Sequence, residues 1–315
     1  MNIGIDMMGG DFAPLEAVKG VKNYLSNNIS NAVHLTLFGD EVQIAPLLTE
    51  HDINTSSVTV IPTTQVIDMQ EHPTKALKEK TNSSIAVGFK HLAMGKTDAF
   101  ISAGNTGAML VGALFSIKAV EGVQRPTISS ILPKQNGSTG IFLDVGLNSD
   151  CKPENLNQFA VMGSVYARHV LGIEKPKVGL LNVGEEEGKG NLLTQATYPL
   201  LKENKAIHFI GNVEGRDAFS DKADVIVCDG FTGNIILKMA ESIYDVACKE
   251  KVDNAYFNRF NFEIHGGTPV LGVEKPVIIG HGISYQTAFS NMIEVAVKML
   301  NTDVLGRVKE AFKTM

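Results

Sequence analysis

Short polar turns rich in glycine, asparagine and carboxylate follow several apolar segments of this sequence. The turn Gly104-Asn105-Thr106-Gly107 comes directly after four small or apolar residues at 99–102 and directly before a helical pattern that begins at Ala108. A strand that turns sharply into a helix leaves backbone N–H groups unpaired at the positive end of the helix dipole. The residue types and spacing of this turn therefore suit a phosphate site.

Similar turns follow other predicted strands. Their polar residues are Asp6, Asp144 with Asn148, Asn182 with Glu186 and Lys189, and Asp229 with Asn234. Each turn alone has a structural explanation, because Gly and Asn tolerate positive φ and Asp caps helices. As a set they indicate more, since open parallel sheets bind ligands in a crevice at the carboxyl ends of their strands. We therefore expect these turns to line one crevice.

Two of these stretches have the same layout. DAFISAGNTG at 98–107 and DVIVCDGFTG at 224–233 both run from an Asp through four strand residues and one further residue to Gly-x-Thr-Gly. Two interpretations remain open. The likeness is either a coincidence between two strand–turn–helix segments, or the sign of two similar turns that face the same crevice.

Lys189 is a candidate phosphate ligand because it lies between two glycines at a predicted helix start. The alternative is a surface lysine that balances the three glutamates at 185–187. The segment is not a P-loop, since three residues instead of four precede Gly-Lys and Gly190 replaces the hydroxyl residue. Arginine is scarce, so we expect backbone amides and a lysine, rather than guanidinium groups, to bind phosphate.

Several familiar sites are absent from the sequence. There is no GxGxxG after the first strand, no HExxH or close histidine pair, and no GxSxG. We expect neither a metal nor a bound cofactor. Cys228, at a predicted strand end, has no histidine near it in sequence to activate its thiol, which favours a packed small hydrophobic residue over a nucleophile.

Strands alternate with helices along the whole sequence. This alternation predicts an α/β fold with a largely parallel sheet and helices on both faces. No low-complexity linker interrupts it, so we expect one continuous α/β catalytic unit over 1–315. Within it we expect two intimately joined lobes, 1–130 plus 275–315 and 131–274. The longest predicted helix runs from Thr232 to about Glu250.

The composition excludes some functions. The net charge of -6 and the lack of interleaved basic and aromatic residues exclude nucleic acid as a main partner. Three widely spaced cysteines favour a reducing cytosol. The first residues lack the basic and apolar regions of a signal peptide, and the uncharged stretch 99–117 is interrupted by a polar turn, so we expect a cytoplasmic protein.

A basic segment contrasts with the acidic total. It contains Lys75, Lys78 and Lys80, with Lys90 and Lys96 further on. A solvated helix face is one interpretation. The other is a docking patch for an acidic partner, whose encounter complementary charge would accelerate.

Taken together in chain order, the turns resemble the phosphate acyltransferases of bacterial phospholipid synthesis, which make acyl-phosphate from acyl–acyl carrier protein. The matching stretches are Asp6 with MGGD at 8–11, SAGNTGA at 102–108, LDVG.N at 143–148, KPE at 152–154, MGSVY at 162–166, GLLNVG at 179–184, Glu186 with KGN at 189–191, FIGNVE.RD at 209–217, DGFTGN at 229–234 and HG.S at 281–284. No single motif is specific, but their order over nearly the whole chain is.

The resemblance implies a fold like those of isocitrate and isopropylmalate dehydrogenases and of phosphotransacetylases. It implies a cytoplasmic homodimer that works peripherally at the inner face of the membrane. Its partners are acyl carrier protein, docking at Lys75, Lys78 and Lys80, inorganic phosphate, and a downstream glycerol-3-phosphate acyltransferase. The chemistry it implies needs no metal or cofactor.

The resemblance also suggests roles for the turn residues. The amides of Gly104 to Gly107 and Lys189 bind phosphate, Asn182 or Asn148 donates to the oxyanion, and Asp229 orients phosphate or a basic group. The remaining polar turn residues complete the substrate-binding set, which is Asp6, Asp144, Glu186 and Asn234 beside Asn105 and Thr106.

Alternatives of other classes stay open. They are a phosphotransacetylase that uses coenzyme A thioesters, a decarboxylating dehydrogenase and a non-catalytic scaffold of lipid enzymes. The sequence also departs from the family at three places. Phe12 replaces an expected His, Leu147 replaces an expected Ala, and the segment 240–262 is shorter than the family's helical hairpin, which puts membrane attachment in question.

Overall fold

A computed structural model describes residues 1–28 and 33–313. The strands are β1 (Asn2–Asp6), β2 (His34–Gly39), β3 (Val58–Pro62), β4 (Ala99–Ser102), β5 (Thr127–Pro133), β6 (Thr139–Leu143), β7 (Lys177–Asn182), β8 (His208–Glu214), β9 (Val225–Val227), β10 (Thr268–Leu271) and β11 (Val277–Ile279). The helices are α1 (Leu15–Asn27), α2 (Glu41–Glu50), α3 (Pro73–Glu79), α4 (Ser84–Ala93), α5 (Thr106–Gly112), α6 (Pro153–His169), α7 (Leu192–Glu203), α8 (Gly230–Lys249), α9 (Ala255–Asn258), α10 (Gln286–Asn301) and α11 (Val304–Lys313). A π-helical turn, Ala113–Ile117, continues α5.

The chain divides into two compact units. Unit 1 comprises Met1–Lys118 with Phe262–Asn301, and unit 2 comprises Ala119–Asn261 with the chain from Thr302 onward. Each unit has its own strands and covering helices. The predicted α/β fold with a largely parallel sheet is confirmed.

The strands of unit 1 lie in the order β3-β2-β1-β4-β11-β10. All neighbours are parallel except β10, which runs antiparallel to β11. Every residue of β4 is buried, and so is β1 after its first residue. Such strands are apolar runs because helices cover both faces of a parallel sheet. Here α1 packs on α10, and α4 packs on β1 and β4.

The strands of unit 2 lie in the order β8-β7-β9-β6-β5, with β5 antiparallel to β6 and the other pairs parallel. This topology repeats that of five strands in unit 1. β7 corresponds to β1, since each pairs with the next strand along the chain and with the strand that carries the repeated motif. That strand is β4 in unit 1 and β9 in unit 2. β4 pairs with the parallel strand β11, whose other neighbour β10 is antiparallel to it. In the same way β9 pairs with the parallel strand β6, whose other neighbour β5 is antiparallel to it.

The repeated motif has the same hydrogen bonds at its start in both units. Asp98 donates its N–H to the carbonyl of Asn2 at 2.7 Å, and its carboxylate accepts the Asn2 N–H at 2.7 Å. Asp224 makes the same pair of bonds with Lys177, both at 2.8 Å. In each unit the motif's aspartate therefore joins its strand to the corresponding neighbour, so the sequence similarity reflects a shared local structure.

Some elements differ from the expectation. The antiparallel strands β5 and β10 interrupt the parallel pattern, and β10, α9 and α11 are not predicted. The aromatic residues in and after α9 pack on one another and on the rest of unit 2. Phe260 is buried, with its ring centroid 5.1 Å from that of Phe219 and 5.4 Å from that of Tyr256. Phe260 is therefore a core residue of unit 2.

Candidate functional site

In unit 1 the turn after β1 and the turn after β4 are joined by a buried hydrogen-bond chain. The Ser102 hydroxyl donates to Asp6 at 2.6 Å and accepts the N–H of Gly104 at 2.9 Å. Asp6 also accepts the N–H of Met8 at 3.0 Å. Burial raises the pKa of Asp6, and the hydrogen bonds from Ser102 and Ser84 oppose that rise. The carboxylate thus fixes both turns.

The two turns also meet through glycines. A methyl group on Gly9 would come within 2.6 Å of the Gly104 nitrogen and would overlap the Asp6 carboxylate. Gly10 has φ +100°, in the left-handed region that favours glycine. The two glycines therefore let the backbone after β1 lie directly against the backbone after β4.

Asn105 begins α5 and fixes a neighbouring loop. Its side-chain oxygen accepts the N–H of Ala108 at 2.9 Å, as an N-cap residue does. Its amide nitrogen lies within hydrogen-bond distance of three carbonyls, those of Asp68, Met69 and Glu71. All the hydrogen bonds of the Asn105 side chain are therefore made within the protein.

The first two residues of α5, Thr106 and Gly107, differ from Gly104 in the hydrogen bonding of their backbone N–H groups. The Gly104 N–H is donated to Ser102, but within residues 1–28 and 33–313 the N–H groups of Thr106 and Gly107 donate to no protein acceptor. The side chain of Thr106 is exposed, whereas Gly107 packs against Pro73 of α3. Two unpaired amides at the positive end of a helix form a site that an anion can occupy.

In unit 2 the turn after β6 is built around a buried carboxylate. Asp144 accepts the backbone N–H and the side-chain amide of Asn148 at 2.7 and 2.8 Å, and longer bonds from Ile128, Gly146 and Leu147. Burial raises the pKa of Asp144, and these bonds oppose the rise. The Asn148 amide also donates to Pro126 at 2.8 Å. Both amide hydrogens of Asn148 are thus used within the protein.

The start of α8 packs directly on this turn. A methyl group on Gly233 would overlap the Asp144 carbonyl oxygen, and one on Gly230 would come within 2.8 Å of the Asn148 carbonyl oxygen. Asn234 donates to the carbonyl of Val145 at 3.1 Å. The glycines of DGFTGN are therefore required by a close backbone approach, and Asn234 holds the turn in place.

Asp229 caps α8 and faces a cavity. Its two carboxylate oxygens accept the N–H and the hydroxyl of Thr232 at 2.9 and 2.8 Å. The cavity has a volume of about 320 Å³. Its polar lining residues are Asn182, Asn191, Thr194, Asp229 and Thr232. Two of the residues predicted to be catalytic, Asn182 and Asp229, therefore share one cavity of unit 2.

The turn after β7 holds Asn182 and Lys189 together. Asn182 donates one amide hydrogen to the carbonyl of Lys189 at 3.1 Å, and its oxygen accepts the N–H of Val183 at 2.8 Å. Gly190, which lines the cavity, has φ +95°, and a methyl group there would overlap Asn182. A glycine is therefore required beside Lys189.

The acidic neighbours of Lys189 have other cationic partners. Glu185 pairs with Lys222 at 2.5 Å, and Glu187 pairs with Lys202 at 3.0 Å. In the described part of the chain the exposed Lys189 ammonium forms no salt bridge. Lys189 and Glu186 both lie beside Gly184. Lys189 is thus not needed to balance Glu185 or Glu187.

The predicted residues therefore fall into two groups. Asp6 and Gly104 to Gly107 lie in unit 1, and the others lie in unit 2. The sequence motifs include Ser102 and Asn191 but gave them no role, although Ser102 connects Asp6 to the α5 turn and Asn191 lines the cavity, and Thr194 of the cavity was missed. The signal for Ser102 is its place in SAGNTGA, one residue before the turn glycine. Asn191 is an N-cap that follows a Gly-flanked lysine.

Neither a metal cluster nor a membrane-spanning helix is found in the described residues. No cluster of three histidine, cysteine or acidic side chains that could hold a metal ion occurs in residues 1–28 and 33–313. Over the same residues, no helix has both the length and the apolar character needed to cross a membrane.

The chain is similar to known proteins in its fold and in its sequence. A phosphotransacetylase from Streptococcus pyogenes has a similar fold, with a TM-score of 0.71 over 95% of this chain and 93% of that one, at 17% identity. The family model described as fatty acid synthesis protein matches residues 1–307.

Relatives with curated names define the family of this chain more closely. The chain is 42% identical to the phosphate acyltransferase of Halothermothrix orenii over 330 residues, which covers 98% of each protein. It is 42% identical to the phosphate acyltransferase of Aquifex aeolicus over 335 residues, which covers 100% of this chain and 98% of that protein. The chain belongs to the bacterial phosphate acyltransferase family and is an acyltransferase.

Proposed function

We propose that this enzyme transfers a fatty acyl group from acyl–acyl carrier protein to inorganic phosphate, giving acyl-phosphate for phospholipid synthesis. The observation that carries the proposal is the pair of unpaired amides, Thr106 and Gly107, at the start of α5 in a chain of the phosphate acyltransferase family. An acyltransferase of this kind has to bind an inorganic anion, and helix amides bind anions without a guanidinium group.

The reaction requires little acid–base chemistry. A phosphate oxygen attacks the thioester carbonyl carbon, the C–S bond breaks, and the pantetheine sulfur leaves as a thiolate that takes a proton from solvent. Phosphate dianion is a competent nucleophile near neutral pH, so the enzyme has to position it and stabilise the oxyanion. In unit 1 the amides of Thr106 and Gly107 bind phosphate.

In unit 2 the residues around the cavity serve the same chemistry. Lys189 binds the negative charge of phosphate, and Asn182 uses its second amide hydrogen to donate to the oxyanion. Asp229 orients the groups at the cavity through its fixed carboxylate. Glu186 lies beside Lys189 and sets the charge around it.

The other polar turn residues act by fixing the position of the turns in this proposal. Asp6, Gly104 and Asn105 fix the α5 turn, and Asp144, Asn148 and Asn234 fix the turn beneath α8. A covalent acyl-cysteine is not part of the mechanism. Burial raises the pKa of the Cys228 thiol well above its usual range, so the reactive thiolate is not available.

The carrier protein docks on the basic segment. Lys75 and Lys78 of α3 are exposed, and α3 begins at Pro73, which packs on Gly107. Lys80 pairs with Glu71 at 2.8 Å and donates to the Val66 carbonyl, so its charge is used within the protein. In this proposal Lys75 and Lys78 attract the acidic carrier, and Lys80 supports the loop before α3.

The wider setting is also part of the proposal. The enzyme is a homodimer in the cytoplasm, works at the inner face of the membrane, and delivers acyl-phosphate to a glycerol-3-phosphate acyltransferase. It needs neither metal nor cofactor. The shared fold with a phosphotransacetylase favours one rival, an enzyme that uses acyl–coenzyme A as donor.

One incubation separates these functions. The purified enzyme is mixed with phosphate and either palmitoyl–acyl carrier protein or acetyl–coenzyme A, and free thiol and acyl-phosphate are both measured. We expect phosphate-dependent release of carrier thiol with equal formation of acyl-phosphate. Turnover of acetyl–coenzyme A alone would support the rival, and turnover of neither donor would contradict the proposal.

A further inference from the structure

Four large apolar side chains lie exposed around the glycine-rich turns of unit 1. They are Phe12, Met69, Ile283 and Tyr285, with 39, 45, 52 and 48% of their surfaces exposed. We call these four residues the aromatic patch. Exposed apolar side chains grouped in this way mark ligand surfaces more often than isolated ones do.

Three members of the patch are held by specific contacts. The rings of Phe12 and Tyr285 stack with their centroids 4.5 Å apart and their planes at 22°. Met69 lies over Gly282, since a methyl group on that glycine would come within 2.9 Å of Met69 Cε. Ile283 follows Gly282 in the chain. The patch is therefore an ordered surface and not a set of independent side chains.

The patch is continuous with the α5 turn. Asp11, the residue before Phe12, donates its N–H to the Gly282 carbonyl at 2.7 Å. The side-chain amide of Asn105 donates to the backbone carbonyl of Met69 at 3.2 Å. Gly9, in the same turn as Phe12, packs on Gly104. The segments that carry the apolar side chains thus contact the turn and the loop that adjoin the unpaired amides of Thr106 and Gly107.

The chemistry of the groups beside the aromatic patch indicates which ligand the patch binds. The substrate of an acyltransferase is an alkyl chain attached to a thioester, and the proposed donor adds an acidic carrier. The unpaired amides suit phosphate and the exposed lysines of α3 suit the acidic carrier, so among these surfaces of unit 1 the aromatic patch is the one that suits the alkyl chain. Four side chains are too few for a stable protein interface, which needs about 20 residues a side.

We infer that the aromatic patch binds the alkyl chain of the acyl donor and sets the chain-length preference of the enzyme. The inference rests on the proposed function. The chain lies across the stacked faces of Phe12 and Tyr285 and along Met69 and Ile283, and its thioester end points to the α5 turn. Each methylene that the patch covers favours the longer donor.

The kinetic test uses Phe12→Ala and Tyr285→Ala with donors of four, eight, twelve and sixteen carbons, on whichever carrier the wild type accepts. We expect kcat/KM for the sixteen-carbon donor to fall about 10-fold in each variant, as for lost methylene contacts in an apolar site. The four-carbon donor should be unchanged. Phe12→Leu, which keeps an apolar side chain, should recover most of the loss.

Phe115→Ala is the matched control, because Phe115 of the π-helical turn is also in unit 1 and is 76% exposed. It should leave the whole series unchanged. Equal losses at all chain lengths, or no loss in either patch variant, would overturn the inference. Lower retention of the patch variants on anionic lipid vesicles, with an unchanged chain-length series, would assign the patch to a membrane surface and would also overturn it.

A binding measurement separates this inference from the proposed function. Dansyl-undecanoic acid, whose emission rises in apolar surroundings, is titrated into the wild type and the variants without phosphate or carrier. We expect palmitate but not butyrate to displace it, and its Kd to rise about 5- to 10-fold in Phe12→Ala and Tyr285→Ala. Failure of the thioester assay with this binding intact would contradict only the proposed function. Unchanged probe affinity in both variants would contradict only the patch.

Discussion

The Ser102 hydroxyl donates a 2.6 Å hydrogen bond to the buried carboxylate of Asp6. The same oxygen accepts the Gly104 N–H, so the end of β1 is tied to the turn that starts α5. Hydrogen bonds to a charged group favour its charged form, whereas burial disfavours it. Burial is the larger effect here, and the pKa of Asp6 is raised.

Asp6 should therefore make the folded state less stable as the pH rises. A carboxyl group with a raised folded-state pKa binds its proton more tightly when folded, so stability falls from about pH 3.9 through that raised pKa. In Asp6→Asn this loss is absent. In urea unfolding between pH 4 and 8, the free energy of unfolding of Asp6→Asn should rise relative to that of the wild type. The rise should be up to about 1.4 kcal/mol per pH unit in that window.

Ser102→Ala provides the second arm of this test. It removes a hydrogen bond that lowers the pKa of Asp6, so that pKa should rise further. The loss of stability should then extend to higher pH than in the wild type. A free-energy difference between Asp6→Asn and the wild type that stays constant over the whole pH range would show that Asp6 does not titrate differently on folding.

Gly233→Ala should destabilise unit 2 strongly. Its methyl group would overlap the Asp144 carbonyl oxygen, which is backbone and cannot move without shifting the turn after β6. We expect a loss of about 3 kcal/mol in the free energy of unfolding, the upper end for overpacking. Thermal and urea unfolding would measure it.

Gly188→Ala is the control for this prediction. No atom lies within 4 Å of a methyl group at Gly188, and its φ is outside the left-handed region. We expect its stability to stay within about 0.5 kcal/mol of the wild type. If both alanine variants were equally stable, the close approach of α8 to the Asp144 turn would not be important for stability.

The elements that carry the turns were predictable because their patterns are local. β4 is found at Ala99–Ser102, as predicted from its buried run, and the predicted helix from Thr232 to about Glu250 is α8 (Gly230–Lys249). Both follow from apolar periodicity bounded by glycine and a capping residue. β10 (Thr268–Leu271) was missed because it contains Pro269 and lies between glycines, a composition that is typical of a turn.

The hydrogen-bond partners of the turn residues were not predictable in the same way. Asn105 bonds to carbonyls 34 to 37 residues earlier in the chain, and Ser102 bonds to Asp6 at a separation of 96 residues. A turn sequence predicts its own caps and positive φ angles but not the distant backbone that packs against it. Only the folded chain shows that the side-chain amide of Asn105 is hydrogen-bonded within the described residues, whereas the backbone N–H groups of Thr106 and Gly107 are not.

Lys189→Ala should weaken phosphate binding. The exposed ammonium has no salt bridge to its glutamate neighbours, and a hydrogen bond to a charged group contributes about 1.5 to 3 kcal/mol. We expect the KM for phosphate to rise about 10-fold or more, with the KM for the acyl donor unchanged. Initial rates at varied phosphate would measure this.

Lys202→Ala is the matched control for Lys189. It removes a lysine of the same unit that pairs with Glu187 at 3.0 Å. Its kinetics should match the wild type. A phosphate KM for Lys189→Ala equal to that of Lys202→Ala would remove Lys189 from the proposed site.

The exposed lysines of α3 should control the encounter with an acidic carrier. Lys75→Glu combined with Lys78→Glu should raise the KM for acyl–acyl carrier protein about 10-fold at low salt, because charge complementarity governs the association rate. Since salt screens exposed charges, the difference from the wild type should shrink as ionic strength rises from about 0.01 to 0.15 M. Lys202→Glu combined with Lys205→Glu reverses two exposed charges in unit 2 and should leave this KM unchanged. Equal effects of the two double reversals would mean that only the net charge of the enzyme matters, and that α3 is not the docking surface.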